Sequence, residues 1–488
     1  MITQRSRRRG IRRSLAALSL VALALFGDAA SGSTLRADGP VSSAGSIGPA
    51  GSIGPVASPL VAIIPLEPAA SPSAGITPVP NGTRTAEPGP APLGSPPAGP
   101  GALPDPGGST PIATIPGGPQ LPGDDRGISP ATRLALQARL DRLRRKYAIP
   151  GLSAAIILRD GSSWVGTSGK ADVATGRKVS RDTGFAVASV SKTFTAALVM
   201  ALVDEGQIAL DGSVATYLPE LGLDAGITVR QLLNHTSGLS DFFFHPRIDK
   251  LLIKQPASRW RPERSLKFVG APYFQPGRGW HYSNTNYLLL GLLVEQVTGR
   301  SLSAELRTRF LEPLGLSHTS YQPSDSPTGP LAHGYRFEVG ARNDRPIDLS
   351  DGSTIVPFTS VVTAAAGAGG IAANSIDIAR WARALYGGRV LSPSSVQTMV
   401  EAAILTEPYQ PSVPYGLGVQ VLDFAGQQSL GHSGRLLGFR AVMRYLPASG
   451  LSVAVLTNQS RTDPAIVARA LVAIVLEAGQ PCSCSGWR

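Results

Sequence analysis

Of the seven lysines in this chain, one follows a serine by three residues, in the segment Ser189-Val-Ser-Lys192. A serine hydroxyl is a poor nucleophile until a base removes its proton, and a lysine one helical turn away can be that base. Residues three apart share one face of a helix, so both side chains can enter one site. An ordinary explanation is also open, in which Ser189 caps a helix and Lys192 lies on the surface.

Two further groups of polar residues follow along the chain, Tyr282-Ser-Asn284 and His432-Ser-Gly434. A tyrosine near a lysine can act as a base, and an asparagine can hold a substrate amide with both ends of its carboxamide. The glycine lies at the end of a predicted strand, where it permits a substrate backbone to approach closely. A loop tyrosine in an Asx turn and a hydrogen-bonded histidine explain the same residues without chemistry.

The serine and the lysine need an element that holds them. The run Thr193 to Glu205 is rich in Ala, Leu, Val and Met, and it predicts a buried helix that ends at Gly206. Ser189 and Lys192 then lie at the start of this helix, where the N-terminus adds positive potential and N–H groups suited to a developing oxyanion. His235, in His-Thr-Ser-Gly, is expected to orient a turn.

Strand patterns occur at both ends of the body, and helical patterns lie mainly between them. The predicted strands are Leu152 to Leu158, Ser163 to Thr167, Gly416 to Leu422, Gln428 to His432, Phe439 to Leu446 and Leu451 to Thr457. The predicted helices begin near Pro130 and include Thr228 to Asn234, Asn286 to Val297, Arg380 to Leu385 and Ala465 to Leu476. We therefore predict an α/β (α+β) fold, with an antiparallel sheet built from both chain ends, flanking helices and an inserted, mainly helical lobe. A cleft is expected where lobe and sheet meet.

Composition divides the 488 residues into four parts. Residues 1–32 contain an arginine-rich start, an apolar run from Leu15 to Phe26 and then small residues, the layout of an export signal. The apolar run is short for a permanent anchor, and Arg12-Arg13 also fits a twin-arginine signal. Residues 33–126, which hold half of the 42 prolines, predict a disordered spacer rich in Pro, Gly, Ser and Ala. Residues 127–480 form the predicted folded domain, and 481–488 a tail.

The formal net charge of +12 does not indicate a nucleic-acid partner. Six arginines and one aspartate in residues 1–32 account for +5 of it, and the remaining +7 is spread without a basic run that interleaves aromatics. Attraction to an anionic cell envelope stays open. The two cysteines, Cys482 and Cys484, have no nearby ligands that complete a metal set, and the histidines do not fall at zinc spacings, so no metal or cofactor is expected.

Taken in order, Ser-x-x-Lys, Tyr-x-Asn and a Lys/His-x-Gly triplet resemble the serine hydrolases that include class C β-lactamases, D-alanyl-D-alanine carboxypeptidases and related esterases. The resemblance covers about Pro130 to Val472 and implies a β-lactamase/transpeptidase-like fold. It also includes the flanking segments Phe185 to Thr195, Ile227 to Leu239, Pro313 to Gly315, Ala366 to Ile371 and Tyr415 to Gly418.

The resemblance implies catalytic roles for three residues. Ser189 is the acylated nucleophile, Lys192 accepts its proton, and Tyr282 passes the proton to the leaving group and activates water. The oxyanion hole consists of the backbone N–H groups of Ser189 and Arg435. Acyl transfer is then divided into acylation and deacylation.

Substrate binding is implied for Asn284, His432 and Gly434. Typical β-lactamases have lysine where this chain has His432, and neutral imidazole is a weaker anchor for a lactam carboxylate. An exported hydrolase of small esters or D-amino-acid peptides is therefore expected, in the periplasm, the cell envelope or outside the cell, with peptidoglycan as a candidate partner and no stable membrane span after signal removal. A β-lactamase, and a penicillin-binding-like sensor without efficient turnover, are the alternatives.

Overall fold

The structure is a computed structural model that describes residues 127–337, 345–406 and 410–478. The predicted export signal, the spacer and the tail with Cys482 and Cys484 lie outside these ranges. Within the ranges, every helix is too short or too polar to cross a lipid bilayer.

Antiparallel strands form one large sheet and two small ones. The strands are β1 (Gly151–Ile157), β2 (Ser163–Gly169), β3 (Phe185–Ala186), β4 (Thr319–Tyr321), β5 (Tyr335–Arg336), β6 (Ile347–Asp348), β7 (Ile371–Ala373), β8 (Ile404–Thr406), β9 (Gln410–Tyr415), β10 (Gln420–Phe424), β11 (Gln427–Leu436), β12 (Phe439–Leu446) and β13 (Leu451–Thr457). The eight-stranded sheet has the order β2-β1-β13-β12-β11-β10-β9-β8, and the small sheets are β3-β7-β4 and β5-β6.

The large sheet joins the two ends of the body, as the sequence predicts. Strand β1 lies beside β13, with Leu152 opposite Thr457 and Ile157 opposite Ser452. Strands β12 and β13 have the predicted bounds. Strands β1 and β2, joined across Asp160-Gly161, form a hairpin with antiparallel register.

One predicted strand, Gly416 to Leu422, is wrong over its first half. The chain turns between β9 and β10, where the Gly416 N–H donates to the Val419 carbonyl at 2.8 Å. Gly418 has a φ of +74°, and a Cβ there would lie 2.4 Å from Ala196 Cβ. The turn therefore packs tightly against α2, and its apolar residues give the same sequence pattern as a buried strand.

The helices agree with the predicted centres and differ at their ends. They are α1 (Pro130–Lys146), α2 (Ser191–Asp204), α3 (Val214–Tyr217), α4 (Val229–Leu233), α5 (Ile248–Lys254), α6 (Pro262–Leu266), α7 (Asn284–Thr298), α8 (Leu302–Leu306), α9 (Thr359–Ala365), α10 (Ser375–Tyr386), α11 (Pro393–Glu401) and α12 (Ala465–Ala478). Short 3₁₀ turns cover Ala188–Val190, Pro219–Leu221, Phe242–Phe244 and Ala366–Ala368, and a π-helical turn covers Arg307–Leu311.

Helices cover both faces of the large sheet. On one face, α1 and α12 pack over a core that contains Leu140, Val455 and Leu471. On the other face, α2 and α10 pack over a larger core that contains Phe194 and Trp381, whose rings stack with centroids 4.0 Å apart. Every residue of β1 is buried, as expected for a short apolar strand covered on two sides. Helices α3 to α8 form the inserted lobe.

Candidate active site

Ser189 lies in the 3₁₀ turn Ala188–Val190, immediately before α2. Helix α2 begins at Ser191, two residues before the predicted Thr193, so Ser189 lies at the start of the helix as expected. Ala188 has a φ of +50°, a left-handed conformation that costs a non-glycine residue about 1–3 kcal/mol. This conformation helps to turn the chain from β3 into α2 within four residues, and it places Ser189 directly before the helix.

Lys192 is completely buried, contrary to the surface alternative. Its Nζ donates to Ser189 Oγ at 3.2 Å, to Asn284 Oδ1 at 2.7 Å and to the Ala368 carbonyl at 2.8 Å. Burial lowers the pKa of Lys192 to about 7, and the charge of Asp241 opposes this shift. A large fraction of the amine is therefore neutral near pH 7 and able to accept the proton of the serine hydroxyl.

The Tyr282-Ser-Asn284 segment contacts the ammonium group of Lys192. The Tyr282 ring centroid lies 4.9 Å from Lys192 Nζ. Asn284 is the first residue of α7, two residues before the predicted start of that helix. Its Oδ1 accepts from Lys192, and its Nδ2 donates to Asp241 Oδ2 at 2.7 Å. Both ends of the carboxamide thus have partners within the protein, and the contact of Asn284 with a substrate amide stays a prediction.

Gly434 has a structural reason to be glycine in addition to the predicted one. A Cβ at this position would lie 2.2 Å from the Val187 carbonyl oxygen and 3.2 Å from Ala188 Cβ. The chain's own backbone, directly before the nucleophile, therefore approaches β11 closely at Gly434, and the approach of a substrate backbone to this glycine stays a prediction. Glycine at 434 allows the strand to lie against the turn that holds Ser189.

Strand β11 extends beyond its neighbour β10 beside the nucleophile. The pairing of the two strands runs from Phe424 with Gln427 to Gln420 with Gly431. Beyond it, the Ser433 N–H donates to Gln420 Oε1 at 3.0 Å, so this N–H points towards the β10 side. Because backbone direction alternates along a strand, the Arg435 N–H points to the same side. This orientation agrees with the predicted oxyanion-hole role of Arg435, which stays a prediction.

His432 is buried in β11 and uncharged. Its Nδ1 lies 2.6 Å from the Ser433 carbonyl, so Nδ1 carries the proton and Nε2 accepts from the Tyr415 hydroxyl at 2.9 Å. Burial, with a smaller contribution from the charge of Lys192, lowers the pKa of His432 to about 3. The imidazole therefore offers no positive charge to a substrate carboxylate at neutral pH.

Three residues of the site escaped the sequence-based prediction or received a lesser role in it. Asp241 binds Asn284, and Ala368 supplies a carbonyl to Lys192. His235, expected to orient a turn, has a φ of +65° and accepts the Ser283 N–H at its Nδ1. It therefore fixes the backbone between Tyr282 and Asn284. Asp241 could have been found from the sequence, because it lies two residues after the His-Thr-Ser-Gly-Leu segment. The Ala368 carbonyl could not, because every residue type has a backbone carbonyl.

Apart from the residues around Lys192, one cluster among the described residues has the composition of a metal site. Ligand atoms of Asp172, His333 and Asp348 all lie within 4.8 Å of one another. His333 Nδ1 already pairs with Asp348 Oδ2 at 2.7 Å, and Asp172 accepts hydrogen bonds from the Ala174 and Thr175 backbone. These contacts explain the cluster without an ion, and the expectation of no metal stays a prediction.

Comparison with known proteins agrees with this geometry. A family model described as Beta-lactamase matches residues 136–477. The chain is 31% identical to penicillin-binding protein 4 of Amycolatopsis lactamdurans over 338 residues, which are 66% of this chain and 84% of that protein. It is 28% identical to a D-aminopeptidase of Brucella anthropi over 340 residues, but spans only 59% of that relative. Among solved structures, a D-stereospecific amidohydrolase from Streptomyces sp. is similar with a TM-score of 0.59 and 29% identity, over 73% of this chain and 99% of that one.

We expect Lys192→Ala to lower the acylation rate by at least about 100-fold, because the positioned base is lost. In the unaltered protein, the rate should rise with pH through about 7 and then level off, since the amine must be neutral to accept a proton. Single-turnover kinetics across pH 5–9 measure both effects. Near-normal acylation by the alanine variant would contradict the role of Lys192.

We expect Gly434→Ala to lower activity strongly, because its Cβ would push β11 away from the Val187 carbonyl and so displace the turn that holds Ser189. Gly270→Ala is the matched control, since a Cβ there has its nearest contact at 3.6 Å, with Ser240 Oγ. Steady-state kinetics and thermal melting of both variants make the comparison. Equal activity in the two variants would show that the close approach has no function.

Proposed function

This chain belongs to the Beta-lactamase family and is a serine hydrolase, and from that premise we propose that it cleaves amide bonds of small D-amino-acid peptides through an acyl-enzyme on Ser189. The observation that carries the proposal is the buried Lys192 Nζ, 3.2 Å from Ser189 Oγ, with its pKa lowered to about 7. A nucleophile and its base thus lie within hydrogen-bonding distance in a site withdrawn from water.

In acylation, Ser189 Oγ attacks the substrate carbonyl carbon while its proton passes to Lys192 Nζ. The carbonyl oxygen becomes an oxyanion that the backbone N–H groups of Ser189 and Arg435 stabilise. The C–N bond then breaks, and the leaving nitrogen takes a proton from Lys192 through the Tyr282 hydroxyl. The product is an ester between Ser189 Oγ and the acyl part of the substrate, with the amine released.

In deacylation, a water molecule attacks the ester carbonyl and gives its proton to the base formed by Lys192 and Tyr282. The bond to Ser189 Oγ breaks, and the serine recovers its proton. Because Lys192 is held by Asn284 and the Ala368 carbonyl as well as by the serine, it keeps its place through both half-reactions.

The proposed substrate class draws on the relatives and on strand β11. The names of the similar proteins include a D-aminopeptidase and a D-stereospecific amidohydrolase. The part of β11 beyond Gly431 is not covered by β10, and an extended peptide can add to such an edge through main-chain hydrogen bonds. Small esters remain substrates of the same chemistry, because an ester has a better leaving group than an amide.

We also propose that the protein is exported and acts on D-amino-acid peptides of the cell envelope. The arginine-rich start and the apolar run in residues 1–32 support export. The basic charge of the remaining chain favours association with anionic envelope material, and peptidoglycan is the proposed partner.

Substrate choice is tested with a D-amino-acid p-nitroanilide, its L-enantiomer, a D-alanyl-D-alanine peptide and a p-nitrophenyl ester. We expect turnover of the D-substrates and the ester, at least about tenfold slower turnover of the L-enantiomer (about 1.4 kcal/mol), and loss of all turnover in Ser189→Ala. Activity that survives Ser189→Ala would contradict the acyl-enzyme. A single stoichiometric burst without steady turnover would instead favour a sensor.

We expect weak hydrolysis of a chromogenic cephalosporin, and we expect His432→Lys to raise it about tenfold. A hydrogen bond between a lysine and a carboxylate contributes about 1.5 kcal/mol, which corresponds to this factor. His432→Gln, which is neutral and polar, is the control. An equal rate for the lysine and glutamine variants would show that charge at this position does not determine lactam turnover.

A further inference from the structure

The segment from His235 to Asp241 lies along the segment from Tyr282 to Asn286 and binds it residue by residue. Ser237 Oγ donates to Asn286 Oδ1 at 2.8 Å, and Thr285 Oγ1 donates to the Ser240 carbonyl at 2.7 Å. The His281 N–H donates to the His235 carbonyl at 3.1 Å. The lobe segment therefore holds the backbone on which Tyr282 and Asn284 stand.

Asp241 is the charged member of this segment, and its side chain is only 2% exposed. Its Oδ2 accepts from the Asn284 N–H at 3.1 Å and from Asn284 Nδ2 at 2.7 Å, and its Oδ1 accepts from the Phe243 N–H at 3.0 Å. All three partners are donors, so none of them can accept a proton from a neutral carboxyl group. The contacts therefore favour the ionised form, although burial raises the pKa of Asp241.

The carboxylate and the ammonium of Lys192 are connected through one side chain. Asn284 donates to Asp241 at one end of its carboxamide and accepts from Lys192 at the other. This arrangement fixes which end of the carboxamide is the oxygen, because the amide nitrogen must point towards the acid. The oxygen is then left facing the ammonium.

The other titratable groups around this pair do not supply a negative charge at neutral pH. Burial lowers the pKa of His235 and of His432, so both are neutral. Burial raises the pKa of Tyr273 and Tyr287, so both keep their protons. The Tyr282 ring also lies beside the ammonium, with its centroid 4.9 Å from Lys192 Nζ.

We propose that Asp241 is a positioning residue for the general base: its carboxylate orients the Asn284 carboxamide and supplies the negative charge that balances the buried Lys192 ammonium. The inference rests on the proposed role of Lys192 in the reaction. The charge of Asp241 keeps the ammonium from losing its proton at too low a pH, so that the group can both accept a proton from Ser189 and return one to the leaving amine.

Asp241→Asn tests this, because asparagine keeps the shape and one acceptor oxygen, which can bind either Asn284 or the Phe243 N–H, and it removes the charge. The measurement is the pH profile of kcat/KM for a p-nitrophenyl ester between pH 4 and 9. Loss of a nearby negative charge lowers the pKa of Lys192, so the rising limb should move to lower pH by about one unit. Should the asparagine variant not fold, Asp241→Ser carries the same expectation.

Ser237→Ala is the matched control, since it removes a buried, uncharged hydrogen bond from the same segment. Its rising limb should stay at the position seen in the unaltered protein, whatever its rate. A limb that stays in place in Asp241→Asn, or that moves to higher pH, overturns the proposal. Failure of the function itself is seen separately, as turnover that survives Ser189→Ala or as a rising limb absent from the unaltered protein.

Discussion

The site depends on one buried amine. Lys192 has no contact with solvent, and its Nζ is held by a serine hydroxyl, a carboxamide oxygen and a backbone carbonyl. An isolated ammonium in such a place loses its proton readily, since burial disfavours the charged form. The proximity of Asp241 limits this loss. The balance of the two effects places the pKa of Lys192 at about 7, where one group can serve as base and then as acid.

The architecture keeps this amine in place from three directions. Helix α2 carries Lys192 itself, α7 brings Asn284 from the inserted lobe, and the turn at Ala366–Ala368 brings a carbonyl oxygen. Strand β11 packs against the turn that holds Ser189, because Gly434 lets the strand lie close to the Val187 backbone. The strands at both ends of the body build the sheet, and the lobe between them supplies Asn284 and Asp241 to the site.

The sequence predicts the parts of this site that depend on side-chain type and spacing. Ser189, Lys192, Tyr282 and Asn284 meet as the motifs indicate, and strands β12 and β13 have the bounds that the sequence predicts. Close contacts between backbone segments that are far apart in the chain are harder to predict from the sequence. The sequence marks Gly434 as special but cannot show that Val187, far earlier in the chain, is what it contacts. No sequence pattern marks the Ala368 carbonyl or the left-handed conformation of Ala188. The turn at Gly416 cannot be told from a strand in the sequence, because its residues are as apolar as those of a buried strand.

The most direct test is a measurement of the Lys192 pKa itself, by carbon-13 NMR of protein labelled at the lysine Cε, with the resonance assigned through Lys192→Arg. Only seven lysines contribute signals. The account expects a titration midpoint at about 7 for Lys192. A midpoint near the ordinary lysine value of about 10.4 would contradict it, because the amine would then be charged when the serine must lose its proton.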